Sequence, residues 1–193
     1  RAIFFTEFPA GSGQYKGGVY GTLNNYASFS HPGEILEDPT LRGTLLDYTE
    51  VEFLLAEASA RGIAVGGDAA SHYTAAITAS MEDWGVAAED ITAYLAQPSV
   101  AYATATGTWQ QKIGEQSWIA LYNVGFESWT NYRRLDFPKL SAPPAAYNNL
   151  LEVPVRYSYP AAEETINGSN VTAAIAAIGG NTLLTPVFWD IKK

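Results

Sequence analysis

Carboxylates, imidazoles, hydroxyls and aromatic rings are the side chains from which chemistry could be built in this 193-residue chain; thiols are not, because it contains no cysteine. That excludes disulfides, thiolate metal sites and a Cys nucleophile. The best paired carboxylates are Glu37-Asp38 and Glu163-Glu164. Glycoside hydrolysis needs two carboxyl groups facing each other across a substrate, which sequence neighbours rarely do, so both pairs read as solvated loop charges. His31 and His72 are the only histidines, and neither stands at metal-ligand spacing from the other or from an acid cluster. No G-x-S-x-G elbow and no Asp-rich calcium loop of the EF-hand type accompanies them. Arg133 and Arg134 close a helical run, where they are expected to meet terminal carbonyls and the helix dipole. No catalytic residue, metal or cofactor is expected, and the chain does not read as an enzyme.

Recognition without reaction is better served. Tyr15, Tyr20, Tyr26 and Phe29 are interleaved with Gly, Asn, Thr and Ser in a turn-rich stretch. Aromatic rings stack on the C–H faces of sugars while amides and hydroxyls take the OH groups. Tyr15, Tyr20, Asn24, Asn25 and Tyr26 are therefore the expected ligand contacts. The alternative for the same rings is to anchor a long loop on the core.

Three stretches must position these residues. Residues 1–45 are punctuated by Gly11, Gly13, Gly17-Gly18, Gly21 and Pro32-Gly33, which predicts loop, with Ile3-Phe4-Phe5 as an extended strand. Residues 46–136 turn helical. From about Leu45, Tyr48, Val51, Leu54, Leu55 and Ala58 recur at spacings of three and four, and Gly62 stops the run. Asp68 caps a second helix with the stripe Ala69, Tyr73, Ala76, Ile77, Met81 and Trp84, ended by Gly85. A short helix over 88–96 follows, then a long one from about Thr108 to Leu135 whose aromatic face (Trp118, Tyr122, Phe126, Trp129) is expected in the core. Gly114 and Gly125 mark where that helix bends or divides. Residues 137–193 read as a loop-rich tail: extended chain at 153–157, Pro160 in a first helical turn, a small helix capped by Asn170 and closed by Gly179-Gly180, and an extended apolar end over 183–190.

The first two helices and their short Gly-containing link form an αα-hairpin. Ala69, Tyr73 and Ala76 have the small–aromatic–small spacing of a tetratricopeptide helix, with Ala56 and Ala60 as the small partners. A lone repeat cannot bury its faces, so exposed apolar surface is expected. The fold class expected is mainly α: an αα-hairpin array with one tetratricopeptide-like unit, long irregular loops and a small hairpin.

Charge narrows the partners. Twenty acidic against eleven basic residues give a formal net charge of −9, a field that repels nucleic acid. No basic amphipathic stretch suggests membrane docking, and no apolar run reaches the roughly 20 residues that span a bilayer. The chain starts at Arg1 with nothing that reads as a signal peptide, which suggests a mature or excised piece.

Five segments in order make the sequence familiar: Tyr48–Ala58, His72–Met81, Gln116–Leu121, Phe126–Arg134 and Pro154–Pro160. Together they resemble the SusD/RagB family, and most closely its SusD-like branch of starch-binding proteins associating with the outer membrane. The resemblance implies the C-terminal part of a longer protein built on tetratricopeptide helices, lipid-anchored on the extracellular face of the outer membrane. It also implies non-catalytic capture of oligosaccharides or another nutrient, and delivery to a SusC-like TonB-dependent transporter. The lipid-bearing Cys of that family lies near the N-terminus and is not in this chain. Two rivals are a structural or transporter-contacting half whose ligand site is elsewhere, and a glycoside hydrolase.

Overall fold

The computed structural model describes residues 2–144 and 150–190. Its contacts divide the chain into two units, Arg1–Pro138 and Lys139–Lys193. The first holds α1 (Glu34–Glu37), α2 (Tyr48–Ala60), α3 (Ala69–Asp83), α4 (Ala88–Leu95), α5 (Trp109–Ala120) and α6 (Gly125–Leu135). The second holds α7 (Ala161–Ile166) and α8 (Gly168–Ile178). The fold is mainly α, as expected. Among the described residues no helix is long and apolar enough to cross a membrane.

The starts of α2, α3 and α5 follow side-chain caps. Asp47 accepts from Glu50 N, Asp68 from Ser71 N and Thr108 from Gln111 N, each satisfying a first-turn amide that has no intrahelical partner. The α2–α3 pair is an antiparallel hairpin, because contacts run in opposite senses along the two helices. Ser59 Oγ donates to Gly67 O near the link, Phe53 meets Tyr73 edge-on at 6.3 Å, and Glu52 lies 2.7 Å from His72 Nδ1. Ala56 and Ala76 are wholly buried, which lets the backbones approach as the repeat spacing predicted. Tyr73 fills the middle of the core and donates its buried hydroxyl to Val100 O at 2.7 Å. Ile77, Ile113 and Leu135 complete that core.

Helix α2 departs from its apolar stripe. Its buried side is Thr49, Glu52, Phe53, Ala56 and Glu57, whereas Tyr48, Val51 and Leu54 are exposed. Two buried carboxylates on that side are tolerated because each is paired. Glu52 meets His72, and Glu57 takes Arg61 at 2.9 Å and Arg134.

The long aromatic helix divides into α5 and α6. The break falls at residues 121–124, where Asn123 takes a left-handed conformation with φ 68°, and not at Gly114. Its aromatic face is not core: Trp118 is 41% exposed and Phe126 73%. Tyr122 is also partly exposed, and Trp129 lies beneath the Arg133 guanidinium at 3.8 Å. Ile113, Gly114, Ser117 and Leu121 are buried instead. A Cβ on Gly114 would lie 2.8 Å from Phe137 Cβ, so only glycine permits this approach of the chain after α6 to α5. Arg134 pairs with Glu57 instead of terminal carbonyls.

Smaller corrections fall at the two ends. Residues 3–5 form a turn and a single bridge, Phe5 to Pro32, instead of a strand. Pro160 does precede a short helix. Asn170 lies inside α8, where its amide donates to Asn167, and Gly179 ends that helix with φ 82°. The end over 183–190 folds into turns: Val155 N donates to Leu183 O, while Phe188 stays exposed.

Candidate functional site

The turn-rich segment is a loop pinned at its base. Thr6 N donates to His31 O at 3.0 Å and Gly33 N to Phe4 O at 2.8 Å, while Lys16 and Ser30 exchange two hydrogen bonds. The Lys16 ammonium lies over the rings of Phe8 and Phe29, at 5.5 and 5.0 Å. Such cation–π contacts hold the neck without a helix or sheet.

Beyond the neck, the asparagines shape the loop. Asn24 Oδ1 accepts from Val19 N, and its Nδ2 donates to Val19 O and Thr22 O. Asn25 Oδ1 accepts from Ala27 N and caps the 3-10 turn Tyr26–Ser28. Both amides thus serve the loop's own backbone, whereas the rings of Tyr20 and Tyr26 are exposed. Tyr20 is 60% exposed, Tyr26 69% exposed, and Tyr15 half-buried. His31, which sequence reasoning left out, stacks on Tyr26 with centroids 3.7 Å apart and planes 13° from parallel, and its Nε2 lies 2.9 Å from Tyr26 O. That stack braces one ring face of Tyr26. The five-residue spacing from Tyr26 to His31 carries no period that would have revealed it.

The acids do not assemble a hydrolytic pair from the sequence neighbours. Asp38 is committed to Thr40 N and Oγ1, both at 2.7 Å. Glu163 accepts from Asn167, and Glu164 from Asn181. Elsewhere, Glu50 and Glu127 line a cavity with Arg134, Asn131 and Thr130. Burial, then the neighbouring Glu127 and Asp47 charges, raise the Glu50 carboxyl above its usual range, and Arg134 partly offsets them. Among the described residues no group of three or more His, Cys, Asp or Glu could hold a metal ion.

The α2–α3 hairpin, with Ala56 and Ala76 buried, is a tetratricopeptide-like unit within a mainly helical scaffold. The chain belongs to the SusD-like_2 family, described as starch-binding and associating with the outer membrane, whose model matches residues 2–160. Similar solved structures include a chitin-binding SusD homologue from Flavobacterium johnsoniae, 27% identical with a TM-score of 0.76, covering 98% of this chain and 46% of that one. A SusD homologue from Bacteroides thetaiotaomicron is 28% identical with a TM-score of 0.77, covering 100% and 48%. One from Bacteroides uniformis is 26% identical with a TM-score of 0.78, covering 100% and 46%. The chain therefore spans under half the length of these solved relatives. No curated protein is detectably similar in sequence.

Proposed function

We propose that this chain is part of a non-catalytic glycan-binding protein at the extracellular face of the outer membrane. In this reading it captures oligosaccharides for a SusC-like TonB-dependent transporter and is held by a lipid anchor outside this sequence. Tyr15, Tyr20 and Tyr26 contact the sugar, while Asn24 and Asn25 hold the loop that presents them. The observation that carries the reading is the exposure of Tyr20 and Tyr26 on a loop braced at its neck and by His31. Rings fixed in this way bind without a large ordering cost. Family membership and the chitin-binding relative support the ligand class.

The test is calorimetry of the wild-type chain and the Tyr20→Ala and Tyr26→Ala variants with malto- and chito-oligosaccharides. Losing one stacking ring should weaken binding by about 1 kcal/mol, or several-fold. The melting temperature should hardly move, since exposed loop changes usually alter stability by about 0.5 kcal/mol. Unchanged affinity in both variants would refute the loop site. Incubation with labelled oligosaccharides should yield no cleaved product; product formation would overturn the non-catalytic reading.

A further inference from the structure

Two recesses meet at the C-terminal end of α3. The larger, about 230 Å³, is walled by Phe4, Ile77, Met81, Trp84, Val86 and Ile119. It exceeds the cavity of about 150 Å³ that suffices to hold a benzene. The smaller, about 50 Å³, is polar and presents Arg42, Thr44, Asp47, Asp83 and Asn123. Ser80, Trp84 and Ala120 line both, so the apolar and the polar recess adjoin along these three residues. Phe4 ties the two together: its ring meets Trp84 edge-on at 4.5 Å and Tyr122 at 4.4 Å.

Polarity and charge restrict what fits. At the apolar recess, the Tyr94 hydroxyl already donates to Gln116 Oε1 at 2.9 Å. In the polar recess, Arg42 Nη2 lies 2.6 Å from Asp83 Oδ1, leaving Asp83 Oδ2 to accept from a hydroxyl. Two carboxylates, Asp47 and Asp83, stand against one guanidinium and disfavour an anionic ligand. The complement is a neutral, hydroxyl-rich group joined directly to an apolar one.

We propose that the adjoining recesses form a site for a saccharide bearing an apolar substituent, an aryl or short acyl group. The substituent enters the recess between α3 and α5, and the sugar hydroxyls meet Arg42, Asp83 and Asn123. This inference rests on the glycan reading only for the sugar half of the ligand, and the site is separate from the tyrosine loop.

The test titrates the chain by calorimetry with phenyl β-glucoside, glucose and phenol. The glycoside should bind at least about tenfold tighter than either half alone. Ser80→Leu, which fills the shared wall, should abolish that advantage, and Asp83→Ala on the exposed rim should reduce it several-fold with the fold intact. Tyr20→Ala should leave the advantage unchanged while weakening unsubstituted oligosaccharides, so this site and the loop site fail separately. Equal binding of glycoside and glucose overturns the proposal. So does phenol binding as tightly as the glycoside, as for an apolar groove that takes any greasy segment. An advantage that survives in both folded variants overturns it too; should Ser80→Leu unfold, Asp83→Ala decides alone.

Discussion

Removing Arg134 should destabilise the first unit far more than removing Arg61, although both arginines hold the same carboxylate. Glu57 keeps only 7% of its side chain exposed; Arg134 is 29% exposed and Arg61 48%. Arg134 reaches α2 from α6 across 77 residues of sequence and also donates to Asn131 Oδ1. Arg61 bonds within its own helix region, four residues from Glu57. Breaking a fully buried pair costs about 3–5 kcal/mol. Arg61 remains to neutralise Glu57 and Arg134 is partly wet, so Arg134→Met should cost about 1.5–3 kcal/mol. Arg61→Gln should cost under about 1 kcal/mol, the ordinary scale for a solvated pair, including its stacking over Trp109. Urea denaturation of the two variants, with Glu57→Gln and the Glu57→Gln/Arg134→Met double variant, closes a cycle whose coupling should exceed about 1 kcal/mol. Equal costs for the two arginines, or no coupling, would refute the claim that burial decides which partner matters.

Gly114→Ala normally favours a helix by about 1 kcal/mol, but here the added methyl meets Phe137 Cβ at 2.8 Å, so a net loss of stability is expected in thermal melts. Ile113→Ala should cost about 2–5 kcal/mol whereas Trp118→Ala should cost under about 1 kcal/mol, reversing the order that ring size alone would suggest. Burial pushes the Glu52 carboxyl up, but hydrogen bonds from His72 and Tyr48 outweigh it and hold it below the ordinary 4.5. Its stabilising contribution is therefore complete above that pH and lost as pH falls through the lowered folded value. Glu52→Gln should flatten that part of the stability–pH curve. Exposed Leu45, Val51, Leu54 and Phe126 predict concentration-dependent self-association, and a monomer at all concentrations in sedimentation would contradict it.

Local chemistry was legible, and long-range packing was not. Asp68 announces a helix start because a cap needs only its own next turn, and Gly62, Gly85 and Gly179 announce ends because a positive φ is written in one residue, whereas the Asp47 and Thr108 caps emerged only in the structure. The α5–α6 break was less visible, since it depends on Asn123 adopting a conformation that glycine usually takes. The aromatic face misled for a physical reason. Where Gly114 and Ser117 allow close approach, the small residues take the interface and the large rings are left outside. In the loop, the glycine punctuation announced irregular chain around Tyr20 and Tyr26. The commitment of Asn24 to Val19 and Thr22 could not be read there, because it depends on the turn itself.

Helix α2 buries Phe53 and Ala56 while it leaves Val51 and Leu54 exposed. The side turned to α3, α5 and α6 joins small and aromatic residues, Ala56 and Phe53, with the carboxylates Glu52 and Glu57, whose partners come from outside α2's interior. Those paired charges fix which helix lies where, since a shifted register would leave a buried carboxylate without His72 or Arg134. The exposed Val51 and Leu54 carry no such pairing. Apolar periodicity therefore marks where α2 can pack, while its buried acids mark where it does pack. In this chain the acids are the better guide to the fold that presents the loop.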